Sequence, residues 1–300
     1  TLVGLINRHP DYQKFHSPEY SRVLEAMRKV DRKKFLPATT LELVVVDSEY
    51  FAMMHKFVEG YRAIQKELPT EGGLIVPGAA QHQADIAAIA QLALFGLIKS
   101  AIEVADSGKK FYAAVSDLAY TDSALPIGYG QTCSQPSLVA LMEYLLDLER
   151  GMRVLEVGSG YGYSAAITSE LIGPSGYLIT MEIIPELAEL AKSNLESHFG
   201  KGRFFGKGLE KRLKVIGDAD GSIGLETDAP FDRIYLTAGV KSSFDPSILA
   251  KQLNPNGGIL LFPEERGDLI KQIYEKGKLV NTNKYGDGNI GFVPLQGKNV

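Results

Sequence analysis

Apolar residues recur at spacings of three and four over Tyr20, Val23, Leu24, Met27 and Val30, the period of a helix with one buried face. Ser17-Pro18-Glu19 supplies its start: a serine cap, with proline at the first helical position. From residue 118 onward the texture changes. Short apolar runs at Val154–Val157, Tyr177–Met181, Lys214–Ile216, Arg233–Thr237 and Gly258–Phe262 alternate with helical patterns, one from about Ser164 and one over Pro185–His198. That alternation predicts a doubly wound α/β fold, a mostly parallel Rossmann-like sheet with helices on both faces. Ile273–Tyr274 and Ile290–Leu295, on either side of Gly286-Asp287-Gly288, read as a terminal hairpin turning at the glycines.

Between these regions, residues 39–117 follow neither pattern cleanly. Leu41–Val46 fits a short strand or the start of a helix. Phe51, Met54, Phe57, Val58, Tyr61 and Ile64 repeat at helical spacing up to a stop before Pro69. Residues 81–105 are alanine-rich, with few charges beyond Asp85, Lys99 and Glu103; a helix apolar most of the way round has to be buried in something. The expected organisation is therefore an N-terminal helical part (1–38), a mainly helical inserted subdomain (39–117) and a second α/β part (118–300). Excess apolar surface on the helix expected over 86–102 would cover a neighbouring site or form a homodimer contact, the latter favoured.

Composition narrows the function. The 300 residues are 45% apolar and 23% charged, with a net charge of −4, ordinary for a globular enzyme. No basic stripe of the kind nucleic acid demands is visible. The cluster Arg28, Lys29, Arg32, Lys33 and Lys34 reads as a solvated helix face. Cys133 is the single cysteine, which excludes an intrachain disulfide and a cysteine-based metal site and suits a reducing cytoplasm. The longest apolar stretch, Ile86–Ile98, falls short of the roughly 20 residues of a spanning helix, and the first nine residues lack the pattern of a signal peptide. Neither a membrane nor a metal is expected.

The sharpest feature is Leu155-Glu156-Val157-Gly158-Ser159-Gly160-Tyr161-Gly162, a strand running into a glycine-rich turn that opens a helix. Glycines let backbone approach a ligand where a Cβ would clash, and ligands on open α/β sheets sit beyond the carboxyl ends of the strands. The loop alone could serve a dinucleotide, or be a tight turn with no ligand. Glu182 ends the next strand, followed by Ile183, and can accept from both hydroxyls of a ribose. Asp218, in Gly217-Asp218-Ala219 after the third strand, suits an adenine amino group. Glu156 precedes the first glycine; a carboxylate there repels a pyrophosphate but not the ammonium and sulfonium of S-adenosylmethionine, which is the expected cofactor.

Just ahead of that loop stands Ala119-Tyr120-Thr121-Asp122-Ser123-Ala124-Leu125-Pro126-Ile127-Gly128-Tyr129-Gly130-Gln131-Thr132-Cys133-Ser134-Gln135-Pro136. It resembles the signature of the protein-L-isoaspartate O-methyltransferases, which usually ends Gly-Gln-Thr-Ile-Ser-x-Pro. Asp31–Pro37, Ala229–Asp232, Thr237-Ala238-Gly239, Asn256-Gly257-Gly258 and Phe292–Leu295 match the same family. Two departures stand out: Cys133 in the apolar position, and the long segment 39–117 where the family has only a handful of residues.

The resemblance implies repair of isoaspartyl peptides and proteins by methylation of the abnormal α-carboxylate. The ester closes to a succinimide that hydrolyses partly to normal aspartate. It further implies Ser134 as the catalytic residue, its hydroxyl orienting the substrate carboxylate, though a serine there can also cap the helix starting near Pro136. Thr132, Cys133, Ile290, Phe292 and Val293 would bind substrate, the last three as an extended edge that pairs with peptide backbone. Gln131, Thr132, Ser134, Glu156, Gly158, Ser159, Gly160, Tyr161, Gly162, Glu182, Ile183, Gly217, Asp218, Ala219 and Thr237 would hold the cofactor. Two other readings stay open: a methyltransferase of the same fold acting on a different substrate, and a cofactor-binding regulatory protein without turnover.

Overall fold

The computed structural model describes residues 3, 6, 17–37, 40–43, 111–114, 118–200 and 212–300. The chain divides into two compact units, Thr1–Leu36 with Ala119–Val300, and Pro37–Leu118. In the second, β1 (Thr40–Leu43) pairs antiparallel with β2 (Phe111–Ala114). The helices expected over 51–68 and 81–105 lie outside the described residues.

The larger unit opens with α1 (Pro18–Lys29), whose N-cap Ser17 accepts from Tyr20 N at 3.2 Å and whose Tyr20, Val23, Leu24 and Met27 are buried. A single 3-10 turn over Arg32–Phe35 follows. The family signature folds as a small antiparallel hairpin, β3 (Leu125–Gly128) and β4 (Gln131–Cys133), leading into α2 (Pro136–Leu145). The sheet then builds as expected: β5 (Arg153–Val157), α3 (Tyr163–Ile172), β6 (Tyr177–Met181), α4 (Pro185–Phe199), β7 (Leu213–Ile216), β8 (Arg233–Leu236), a single helical turn α5 (Ser247–Ala250), β9 (Gly258–Pro263), β10 (Arg266–Glu275) and β11 (Lys278–Gly291).

Seven strands lie in the order β11-β10-β9-β8-β5-β6-β7. β9, β8, β5, β6 and β7 are mutually parallel, and β10 and β11 add antiparallel to the β9 edge. The winding reverses between β5 and β8, so the crevice beyond their carboxyl ends is where such a sheet binds ligands. Leu155, Val157, Ile179, Met181, Ile234, Leu236, Leu260 and Phe262 form the core on one sheet face. No described helix is long and apolar enough to cross a membrane.

Two expectations are corrected. The terminal hairpin turns at Lys276-Gly277, both at positive φ (49° and 70°), between Glu275 and Lys278. Gly286-Asp287-Gly288 lies inside β11, where residues 286–289 stand opposite the single residue Asp268. The glycines build a wide bulge there, and Asp268 Oδ1 accepts from Gly288 N at 3.0 Å. The basic cluster is not uniformly solvated either. Arg28, Lys29, Lys33 and Lys34 are exposed, whereas Arg32 is 1% exposed and heads the fully buried side chains by size.

Candidate functional site

The carboxyl ends of β5, β6, β7 and β8 carry the site. Gly158 N and Ser159 N donate to Met181 O at 2.8 and 3.2 Å, folding the glycine loop across the end of β6. Gly158 needs its lack of a side chain twice: its φ is 100°, and a Cβ would run into the Thr237 hydroxyl. That hydroxyl reaches Gly158 O at 2.6 Å and Val157 O at 3.1 Å, tying the ends of β5 and β8 together. Gly162, at φ 86°, opens α3 in a conformation that disfavours any residue with a Cβ.

Glu182 is 6% exposed. Its Oε2 accepts from Gly160 N at 2.9 Å and its Oε1 from Ile184 N at 3.1 Å. Burial holds its carboxyl above the ordinary value, and the amides of Gly160, Ile184, Ile183 and Ser159 offset only part of that rise. The carboxylate thus orders the loop opposite it and still has lone pairs for a ligand.

A cavity, partly open to solvent, lies between these groups and the signature hairpin, in the crevice where such a sheet binds ligands. Of the residues expected from sequence, Gln131, Thr132, Cys133, Ser134, Gly158, Ser159, Gly160, Tyr161, Glu182, Ile183, Ala219, Thr237 and Val293 line it. Tyr163, Ser164, Ile184, Leu187 and residues 294–296 also line it; none of these was singled out from sequence as a site residue. Among the described residues no group hydrogen-bonds the Ser134 hydroxyl, and it does not cap α2. Asp122 does that from across the fold, its Oδ1 accepting from Ser137 N at 2.8 Å, with Gln135 in the N-cap position contributing no side-chain bond.

The remaining candidates lie off the cavity wall. Gly162 belongs to the α3 start. Gly217 and Asp218 are exposed beside Ala219, Asp218 at φ 52°. Phe292 N donates to Glu265 O at 3.2 Å and Val293 O accepts from Gly239 N at 2.8 Å, while Ile290 pairs with Gly267. Those backbone groups are already used by the fold, so the expected free edge over 290–293 is largely closed. Only Val293 faces the cavity, carried there by the Gly239–Pro294 bridge.

Glu156 is the clearest departure. Strand alternation turns it away from the Leu155 and Val157 face, and it is fully buried. Its Oε1 accepts from Tyr235 Oη at 2.8 Å. Tyr235 Oη lies 2.9 Å from Thr168 Oγ1 and 3.2 Å from Ser164 Oγ, and both hydroxyls donate to Glu143 Oε1, at 2.8 and 3.2 Å. Burial pushes Glu143 up to about 8 and Glu156 to about 7. This is a protonated or proton-sharing network behind the cavity, reaching its wall at Ser164. Sequence reasoning missed Glu143 and Tyr235, because an acid in an amphipathic helix and a tyrosine in a strand carry no signal until they meet.

With this geometry in hand, comparison with known proteins is decisive. The family model described as protein-L-isoaspartate(D-aspartate) O-methyltransferase matches residues 96–300, more than half of the chain. The chain belongs to that family. Protein-L-isoaspartate O-methyltransferase 1 of Archaeoglobus fulgidus is 43% identical over 181 residues, 60% of this chain and 76% of the relative. The enzyme of that name from Thermosipho melanesiensis is 39% identical over 206 residues, 67% of this chain and 96% of the relative. A solved protein-L-isoaspartate O-methyltransferase superposes with a TM-score of 0.58 at 20% identity, covering 99% of this chain and 66% of that one. A Plasmodium falciparum structure of the same methyltransferase class, in complex with S-adenosyl-L-homocysteine, gives a TM-score of 0.51 at 24% identity, covering 60% of this chain and 83% of that one. These two share the fold of this family member.

Proposed function

We propose that this chain transfers the methyl group of S-adenosylmethionine to the free α-carboxylate of L-isoaspartyl residues in damaged proteins and peptides. The observation that carries the reading is one cavity with the signature residues Gln131–Ser134 on one wall and the Glu182 carboxylate and glycine loop on another. The cavity suits the cofactor on its own chemistry. It offers a bare-backbone cradle at Gly158, a buried carboxylate for a ribose diol, and an apolar flank of Ile183, Ile184, Leu187 and Ala219 for an adenine ring. Glu182 would hold the ribose hydroxyls, and Gly158, Ser159, Gly160 and Tyr161 would line the amino-acid end. A Plasmodium falciparum structure of this fold is in complex with S-adenosyl-L-homocysteine, which supports that cofactor here.

When bound, S-adenosylmethionine supplies an already electrophilic methyl on a sulfonium. The chain's own task is alignment. A carboxylate with an ordinary pKa near 4 is ionised at neutral pH, so no general base is required, and the buried acids Glu143 and Glu156 need take no part. Holding the carboxylate in line supplies the rate advantage of proximity. Ser134, lining the cavity with an uncommitted hydroxyl, would donate to one carboxylate oxygen, while Thr132, Cys133 and Val293 border the place where it sits.

The test is methyl transfer from labelled cofactor to an isoaspartyl peptide beside its aspartyl twin. Label in the isoaspartyl peptide alone supports the reading. Label in neither, with the cofactor bound, would leave a binding protein or an enzyme for another substrate. Ser134→Ala should keep cofactor affinity and lower turnover about 10- to 150-fold, the value of one hydrogen bond to a charged group; unchanged turnover would remove Ser134 from the mechanism. A reducing cytoplasm is the proposed compartment, supported by the single Cys133. A homodimer through residues 39–117 is a further proposal, which a purely monomeric species in sedimentation would dismiss.

A further inference from the structure

Arg32 lies outside the cavity and is absent from its wall, yet its guanidinium holds the signature from behind. Nη1 donates to Ala119 O at 3.2 Å and Thr121 O at 3.0 Å. Nη2 donates to Ser123 O at 2.8 Å, Ser134 O at 3.0 Å and, more weakly, Cys133 O at 3.4 Å. The guanidinium carbon stands 5.7 Å from the centre of the Tyr163 ring, itself part of the cavity wall. The side chain is 1% exposed, and no carboxylate among the described residues pairs with it.

A buried cation normally takes an anionic partner. This one takes five neutral carbonyls instead, from two separate stretches of chain. Its planar fork has fixed directions, so the bonds set the spacing between residues 119–123 and the Cys133-Ser134 peptide. Asp122 adds a second tie between the same stretches, through Ser137 N and the Gln135 amide. Two of the five Arg32 bonds, to Cys133 O and Ser134 O, fall on the backbone that carries the Ser134 side chain, and none falls on the glycine loop or Glu182.

We infer that Arg32 is a positioning residue for methyl transfer: its guanidinium fixes the Cys133-Ser134 peptide and so aims the Ser134 hydroxyl at the substrate carboxylate. The inference rests on the proposed role of Ser134. A lysine cannot replace it, because one ammonium with three donors cannot span the five acceptors. An error of about 1 Å in a reacting group costs up to about 100-fold in rate, so Arg32→Lys should lower kcat at least about tenfold. Cofactor affinity should stay within about threefold and peptide KM should move less than kcat, because the residues proposed to bind the cofactor are untouched.

The decisive experiment measures the purified full chain as Arg32→Lys, Arg32→Gln, Ser134→Ala and the Arg32→Lys/Ser134→Ala double variant. Steady-state kinetics on an isoaspartyl peptide and calorimetry with S-adenosyl-L-homocysteine are run on each. If Arg32 acts through Ser134, the double variant turns over within about twofold of Ser134→Ala alone, since contacts in one network are non-additive. Multiplying losses in the double variant would overturn the inference, as would parental kcat in Arg32→Lys or Arg32→Gln. Failure of both single variants to fold, or equal loss of kcat and cofactor affinity, would make Arg32 a folding residue and overturn it too. A parent protein inactive on the isoaspartyl peptide marks a different failure: the reading of the whole site falls, and this inference with it.

Discussion

Glu182→Ala is the most informative single change, because the carboxylate has two jobs whose sizes can be separated. In the free protein it accepts from Gly160 N at 2.9 Å and Ile184 N at 3.1 Å. With ligand it would also accept from a ribose diol. A hydrogen bond to a charged group contributes about 1.5–3 kcal/mol; one such bond lost to the cofactor predicts about a 10- to 150-fold weaker Kd. The two amides left behind are part-buried, so at about 1 kcal/mol or more each the fold should also lose about 2 kcal/mol. Calorimetric titration with S-adenosyl-L-homocysteine reads the first quantity and denaturant unfolding without ligand reads the second. Glu182→Gln separates them further: it keeps the side chain's volume and one carbonyl acceptor but loses the charge, so its affinity should fall between parent and Ala. A Kd for Glu182→Ala within threefold of parent, together with a measurable loss of stability, would leave Glu182 as a loop staple and refute its place on the ribose.

The buried acid pair predicts a pH dependence of stability. The carboxyl of Glu143 titrates near 8 in the fold and that of Glu156 near 7, against 4.5 for the ordinary group. The folded state therefore binds the extra protons, and the stability they contribute is full below about pH 4.5 and is lost as pH rises through 7 to 8. Glu143→Gln should accordingly raise the melting temperature relative to parent more at pH 9 than at pH 5.5; an equal shift at both pH values would show that Glu143 does not titrate in this window. Replacing residues 38–117 by a short glycine-serine linker should leave a protein that melts within a few degrees of the parent and binds S-adenosyl-L-homocysteine within about threefold. Loss of the cooperative melt would refute the independence of the larger unit.

What could be read from the sequence was whatever a run of residues announces by itself. β6 was delimited at Tyr177–Met181 because its apolar run stops at Glu182, and α1 because Ser17 and Pro18 mark its start. The edge hairpin is hard to place from sequence because β10 and β11, rich in polar residues over Lys278–Lys284, alternate weakly, while Gly286-Asp287-Gly288 looks more like a turn than Lys276-Gly277 does. The positive φ at both of those two residues matches the tight two-residue turn of a twisted hairpin. Glu156 was placed near the cofactor by its distance in sequence from Gly158. Only the pleat shows that its side chain leaves by the other face, toward Tyr235. Arg32 sat in a basic run and looked solvated, since neither composition nor helical period can tell one buried arginine from four exposed neighbours.

The same arginine stands where the larger unit is interrupted in sequence. The excursion Pro37–Leu118 begins one residue after Leu36 and ends one residue before Ala119. Leu36, Leu118 and Ala119 are all buried, and Arg32 bonds the Ala119 carbonyl directly. The Arg32–Ala119 bond thus ties together the two stretches of the larger unit that flank the excursion. Loop-closure entropy grows by only about 0.6 kcal/mol for each doubling of length. Going from an ordinary connection of about 6 residues to the whole of Pro37–Leu118 is fewer than four doublings, about 2 kcal/mol at most for a flexible chain. That is small against the about 5–15 kcal/mol of a typical domain. The neck therefore tolerates length at little cost. It also begins and ends at the two stretches, 32–36 and 119–123, that meet at the Arg32 guanidinium behind Ser134.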